Sequence, residues 1–298
     1  MDGAKGISAW RWLFIIEGVI TIFVAILAFF ILPNFPRTTS WLSEEERSLA
    51  AWRLEEDIGV DDWISSKQQS FFHGFSLAVR DAKTWLLMLL LSGIVSSASV
   101  TNFFPTVVAT LGYSHIRSLL LTAPPYCLAV ITTWANAWHA DRSGERYLHV
   151  VLPLCISLVA FILAAATTKT APRYVGMMLM PASFYAAYIV VLTWISNCLP
   201  RPPAKRAAAL ALINAVSNAT SIYASYMYNT KFSPRYVIAM TVDCVTVLIA
   251  ILAATALRFV LVKLNKKLNR GESVDGMTGG NVTNVETQIE KKGFRFLV

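Results

Sequence analysis

The run YVIAMTVDCVTVLIAILAATALRFVLV, residues 236–262, decides how the rest of the chain is read. It holds only two charged residues, Asp243 and Arg258. A helix needs about 20 apolar residues to cross the hydrocarbon of a bilayer. The run does not alternate with period two, so it reads as helix rather than strand. Six more stretches upstream share its character: 13–32, 86–110, 118–138, 148–167, 174–199 and 207–228. The sequence therefore predicts an all-α polytopic membrane bundle with seven transmembrane helices.

Composition agrees with that reading. The chain has 298 residues, of which 55% are hydrophobic and 15% charged. A soluble domain averages about 25% charged residues. Mean hydropathy is +0.53, which is hard to hide inside one soluble core. A disordered chain, a disulfide-rich module and a soluble enzyme are all disfavoured. Cys127, Cys155, Cys198 and Cys244 each fall within or at the end of an apolar run and read as packing residues. No cysteine–histidine cluster has zinc spacing, so neither metal nor cofactor is expected. The net charge is +8, but the basic residues sit between the apolar runs. That placement suits a bilayer surface and not a nucleic-acid groove.

The first run, preceded by Lys5 and Arg11, resembles a signal peptide. Its apolar part is longer than a signal core, it carries Glu17, and no small-residue cleavage site follows, so it is read as a span. With the N-terminus outside, segments 33–85, 139–147, 200–206 and 263–298 face the cytoplasm and hold 18 lysines and arginines. The opposite segments hold 7. The positive-inside bias puts the C-terminus in the cytoplasm.

Within 33–85, Ser43 followed by Glu46 forms a capping box, with Leu42 ahead of it, and predicts a charged helix to about Asp57. Phe71, Phe75, Ala78, Ala82 and Trp85 recur at helical spacing. Arg80, Asp81 and Lys83 lie off that stripe, which predicts a short helix lying in the membrane interface. The polar 263–298 tail predicts disorder.

Polar stripes mark the spans. Asn214, Ser217, Asn218, Ser221 and Ser225 share one helical face. Ser92, Ser96, Ser99 and Phe103 keep similar spacing, with Asn102 beside them. Such faces line a cavity or serve as packing glue between helices. Phe103, Tyr126, Tyr185, Tyr188 and Trp194 offer either stacking walls for a flat organic acid or ordinary core packing. Charged groups inside spans are costly. Glu17 and Asp243 are therefore candidates for proton binding or for structural pairing, and Arg258 for snorkelling.

Several stretches resemble a known family. The loop Ala140-Asp141-Arg142-Ser143-Gly144-Glu145-Arg146 is similar to a loop motif of the major facilitator superfamily. More specific are Trp10-Arg11-Trp12-Leu13-Phe14-Ile15-Ile16-Glu17-Gly18, Phe104-Pro105-Thr106 with Leu111-Gly112-Tyr113, and Thr122-Ala123-Pro124-Pro125-Tyr126. Trp194-Ile195-Ser196-Asn197, Lys205-Arg206-Ala207 and the terminal Gly293-Phe294-Arg295-Phe296 complete the set. Together they resemble the fungal allantoate permease family of anion:cation symporters. The resemblance implies a major-facilitator fold of which helices 6 to 12 are present and the first five are missing. It divides the chain into residues 1–32, the last helix of a first half; 33–85, the linker between halves; 86–262, a six-helix second half; and 263–298, a tail.

The resemblance further implies a secondary transporter of a small organic anion such as nicotinate, pantothenate or allantoate, coupled to a proton, working by alternating access in the plasma membrane. Cavity candidates are Asn102, Phe103, Tyr126, Tyr185, Trp194, Asn197, Asn214 and Asn218. By resemblance Asp141, Arg142 and Arg146 form a gating loop, although Glu145 stands where the motif has a basic residue. The expected partners are the anion, a proton and the lipid bilayer, with no nucleic acid, and the chain by itself is expected to be inactive.

A seven-helix receptor is the alternative, since Asp141-Arg142 follows the third span. That span lacks an outer cysteine, and the last span lacks an Asn-Pro-x-x-Tyr ending. A non-transporting membrane protein is a further alternative. An intramembrane enzyme finds no paired aspartates or serine–histidine arrangement. The phosphate-loop spacing from Gly271 to Thr278 has Met277 in place of lysine, so nucleotide binding is not expected. The glycosylation patterns at Asn218 and Asn281 fall in a span and in the tail.

Overall fold

In lipid a backbone can satisfy its own polar groups only as helix or closed barrel, and helices are what the computed structural model of the chain contains. It describes residues 4–33, 35–58, 70–233, 235–272, 274, 282–283, 290–291 and 295–298. Two units are resolved, Met1–Val60 and Asp61–Val298.

The first unit holds α1 (Ala9–Ile31) and α2 (Glu44–Ile58), with a 3-10 turn at Pro36–Thr38 between them. None of the residues of α1 is buried, and apart from Arg11, Glu17 and Thr21 the helix is made of apolar residues and Gly18. The capping box forms as expected. The Ser43 amide donates to Glu46 Oε2 at 2.9 Å and the Glu46 amide to Ser43 Oγ at 3.3 Å. Both bonds satisfy amide donors that the first turn of a helix leaves free.

The second unit begins with α3 (Phe71–Arg80) and α4 (Ala82–Ala98), continues through a 3-10 stretch at Ser99–Phe103 into α5 (Phe104–Ala109), and then α6 (His115–Leu120). The remaining helices are α7 (Ala123–Ser143), α8 (Tyr147–Ala166), α9 (Thr170–Cys198), α10 (Pro203–Ala219), α11 (Ser221–Met227) and α12 (Val237–Asn269). A two-residue antiparallel pairing joins Val282–Thr283 to Glu290–Lys291.

Among the described residues seven helical stretches are long and apolar enough to cross a membrane. They coincide with the seven read from the sequence. The second spans Ala82–Ala109, the third Ile116–Ser143 and the sixth Pro203–Ala224, each containing a break.

α9 lies at the centre of the second unit, packed on α7, α8 and α4, while α12 packs on α4 and α8, and α10 on α3 and α4. Leu87, Leu91 and Ile94 of α4, Phe161 of α8, Met177 and Phe184 of α9 and Val247 of α12 fill the space between them. Small residues let the backbones close up. A Cβ on Gly93 would land on the Thr246 carbonyl of α12 and 2.9 Å from Ala250. One on Gly74 would sit 2.7 Å from the Ala204 backbone of α10. This is helix packing driven by close approach, as expected where lipid removes the hydrophobic drive between helices.

Two findings differ from the sequence reading. First, α3 is held by charge as well as by its small-residue face. Asp81 caps α4 through the Lys83 amide at 2.9 Å. Its carboxylate lies 2.6 Å from Lys205 Nζ of α10 and 3.6 Å from Lys83 Nζ. Both lysines are buried. These residues fall off the apolar stripe in sequence because they serve a buried ion cluster. Phe75 and Trp85 of the apolar stripe are exposed, while Ala78 is buried. The side chain of Phe71 lies outside the described residues.

Second, the tail is ordered at both ends of its described part. α12 continues to Asn269 because Leu257, Leu261, Leu264 and Leu268 keep the helical spacing past the apolar run, and Leu268 is fully buried. Residues 295–298 pack on the bundle, with Phe296 in its core. The phosphate-loop-like positions from Ser273 on lie largely outside the described residues.

Candidate functional site

The α4–α10 contact carries the polar residues singled out above. Ser92 and Ser217 face each other at 3.4 Å, and Tyr223 OH donates to Ser96 Oγ at 2.7 Å. Ser96 and Ser217 are fully buried. Ser92, Ser96 and Ser217 thus serve as packing glue between the second and sixth spans, whereas Ser221 is exposed.

Both spans lose α geometry just beyond this contact. α4 passes into the 3-10 stretch at Ser99, and α10 ends at Ala219 before α11 starts at Ser221. Threonine hydroxyls bond back to the preceding turn at the breaks: Thr101 Oγ1 donates to Ala98 O at 2.7 Å, and Thr220 Oγ1 donates to Ser217 O at 2.7 Å beside the Thr220 amide. Short 3-10 segments inside a helix mark hinges and sites.

The asparagines flank the breaks. Asn102, Asn214 and Asn218 are exposed on the bundle surface. Asn218 Nδ2 donates to Asn214 O at 2.9 Å. Phe103 is half-buried and stacks on Tyr228 at 5.0 Å with the rings 13° apart. Tyr228 OH in turn donates to Asp243 Oδ2 at 2.6 Å. Asp243 is fully buried, and among the described residues its Oδ1 has no hydrogen-bond partner. A chain of groups therefore runs from the break in α4/α5 to the carboxyl group of α12.

The other candidates are dispersed. Tyr126 is half-buried against Phe104 at 5.7 Å, and Tyr185 against Phe184 at 4.8 Å. Asn197 is half-buried near the end of α9. Trp194 does not face open space: it is fully buried, and its indole N–H is taken by the Leu297 carbonyl at 2.9 Å. Glu17 is exposed on α1, in the other unit. Tyr223 and Tyr228 were missed by the sequence reading. For Tyr228, which is buried, the signal is a phenol within an apolar run, which must find a partner; Tyr223 is exposed, and its bond to Ser96 has no such signal.

The loop between α7 and α8 is built around Gly144, whose φ of 68° lets the chain turn back. Asp141 Oδ1 pairs with Arg146 Nη1 at 2.7 Å, and Arg142 stacks over Trp138 at 5.6 Å. Glu145 accepts from the Leu148 amide at 2.8 Å and lies 2.9 Å from His149 Nδ1, which itself is 2.6 Å from His139 through its other nitrogen. The acid in place of a basic residue therefore opens α8, where an anion suits the helix N-terminus. All four cysteines are free.

Seven apolar helices, two of them broken beside exposed asparagines, define an integral, multi-pass helical membrane protein. Residues 4–225 match the model of the Major Facilitator Superfamily, and the chain belongs to that superfamily. It is similar to "MFS transporter prlL" of a fungal species, 34% identical over 66% of this chain and 40% of the relative. It is also similar to "MFS-type transporter cnsO" of Penicillium expansum, 31% identical over 90% and 54%. A third relative is "Major facilitator-type transporter hxnP" of Emericella nidulans, 27% identical over 84% and 50%. The chain spans about half the length of these curated relatives. No solved structure matches it.

Proposed function

We propose that the chain forms part of a secondary transporter for a small organic anion, coupled to a proton and working by alternating access, with its C-terminus in the cytoplasm of a plasma-membrane carrier. The observation that carries this reading is that the second and sixth spans break beside exposed asparagines. Broken spans beside polar side chains are how transporters present binding groups at membrane depth. Asn102, Asn214 and Asn218 are the hydrogen-bonding groups, and Phe103 and Tyr126 the flat surfaces. Asp243, with one oxygen held by Tyr228 and the other vacant, is the proton site. Glu17 is the second candidate. Asp141, Arg142 and Arg146 act at the gate, where a few charge-assisted bonds bias a rocking motion. The likeness of several stretches to the allantoate permease family supports a carboxylate substrate: nicotinate, pantothenate or allantoate.

The test is uptake into vesicles of a fusion that joins the first half of the Penicillium expansum relative to residues 4–298 of this chain. Accumulation of one of the three acids, raised by an imposed proton gradient and lost in Asn214→Leu, is expected. Failure of all three to accumulate in a correctly folded fusion contradicts the anion reading.

A further inference from the structure

The last four residues are the unexpected feature of the fold. Residues 295–298 follow no apolar run, yet they meet four membrane helices at one end of the bundle. Phe296 is 3% exposed, and the Lys83 ammonium of α4 sits over its ring at 4.8 Å. Asn265 of α12 reads the Phe296 backbone twice, its Nδ2 donating to Phe296 O at 2.9 Å and its Oδ1 accepting from Phe296 N at 3.0 Å. Trp194, near the end of α9, donates to Leu297 O at 2.9 Å. The Arg146 amide, at the start of α8, donates to Val298 O at 3.0 Å.

Arg146 serves two structures at once. Its backbone receives the tail, and its guanidinium holds Asp141 in the loop between α7 and α8. The backbone bonding of residues 296–298 resembles the docking of an extended peptide: main-chain groups supply the hold and one aromatic pocket supplies the specificity. The hold includes four hydrogen bonds and the seat of one ring. Each is modest in net terms, so the segment can leave without unfolding the helices beneath it.

We infer that residues 295–298 are an intramolecular strap that, when docked, clamps the ends of α4, α8, α9 and α12 together and fixes the Asp141–Arg146 pair; the strap has to undock for those ends to move apart. The inference rests on contacts within the chain and is independent of what the carrier transports.

Hydrogen exchange of the chain in lipid nanodiscs tests it, comparing the full chain with a form lacking residues 295–298 and with Phe296→Ala and Asn265→Leu. Exchange of the amides at 146–150 and 263–269 should quicken at least tenfold in all three. Amides at 177–187, in the middle of α9, should be unchanged, which shows an intact bundle. A synthetic peptide of residues 295–298 should restore the slow exchange in the truncated form. Unchanged exchange at 146–150 overturns the strap. So does quickening along the whole of α9, which would make the segment a folding element.

Discussion

Gly93 shows how far one residue can be read. In sequence it is an unremarkable glycine in an apolar run. In the fold it is where α4 touches the backbone of α12. Gly93→Leu should therefore destabilise the bundle by about 1–3 kcal/mol or more, the range for overpacking, read as a lower melting temperature in detergent. Gly18, with nothing within 4 Å of an added Cβ, is the control and should tolerate alanine. The asparagines behave oppositely. Asn214 and Asn218 are exposed, so leucine at either position should change stability by no more than about 0.5 kcal/mol. If they bind substrate, the same changes should abolish uptake by the fusion described above. The sequence showed these two asparagines on one face. It could not separate them from Ser217, which shares that face and is buried, because which part of a polar stripe meets a neighbour depends on where the next helix lies. Trp194, open in the sequence between a cavity wall and core packing, is buried, and its indole partner Leu297 lies more than a hundred residues away.

At the scale of elements, local rules were legible and long-range ones were not. The α2 cap follows from Ser43 and Glu46 alone. The Ser43 amide and hydroxyl hold the Glu46 carboxyl below the usual glutamate range. A carboxyl depressed in the folded state stabilises above its unfolded pKa, and that contribution is lost as pH falls through the folded value. A peptide covering residues 39–58 should thus lose helicity by circular dichroism as it is acidified below the ordinary glutamate range. Ser43→Ala should flatten that dependence. α3 is different. Its periodicity announced a helix, but its seat on α10 depends on Asp81, Lys83 and Lys205 meeting across 120 residues of chain. Asp81→Asn leaves two buried ammonium groups without that carboxylate, and removing one partner of a buried pair costs on the order of 3 kcal/mol. Thermal unfolding should show the loss, and Lys205→Met combined with it should recover part, since one of the two buried charges is then gone.

For the whole molecule, hydropathy was sufficient. Runs of about 20 apolar residues have one stable form in lipid, so the number of spans and their helical nature were fixed before any packing was considered. The order in which the helices pack was beyond reach of the residues alone. So was the return of residues 295–298 to the bundle: Phe296, Leu297 and Val298 are apolar, but three such residues after a polar stretch are too few to show a periodicity or to say which helices they meet. The central claim is that the described chain crosses the membrane an odd number of times. Single cysteines at Lys5→Cys and Lys267→Cys, in a background without Cys127, Cys155, Cys198 and Cys244, measure this directly with a membrane-impermeant maleimide on intact cells. The account predicts labelling at position 5 from outside and at position 267 only after permeabilisation. Labelling of both positions from the same side would contradict it.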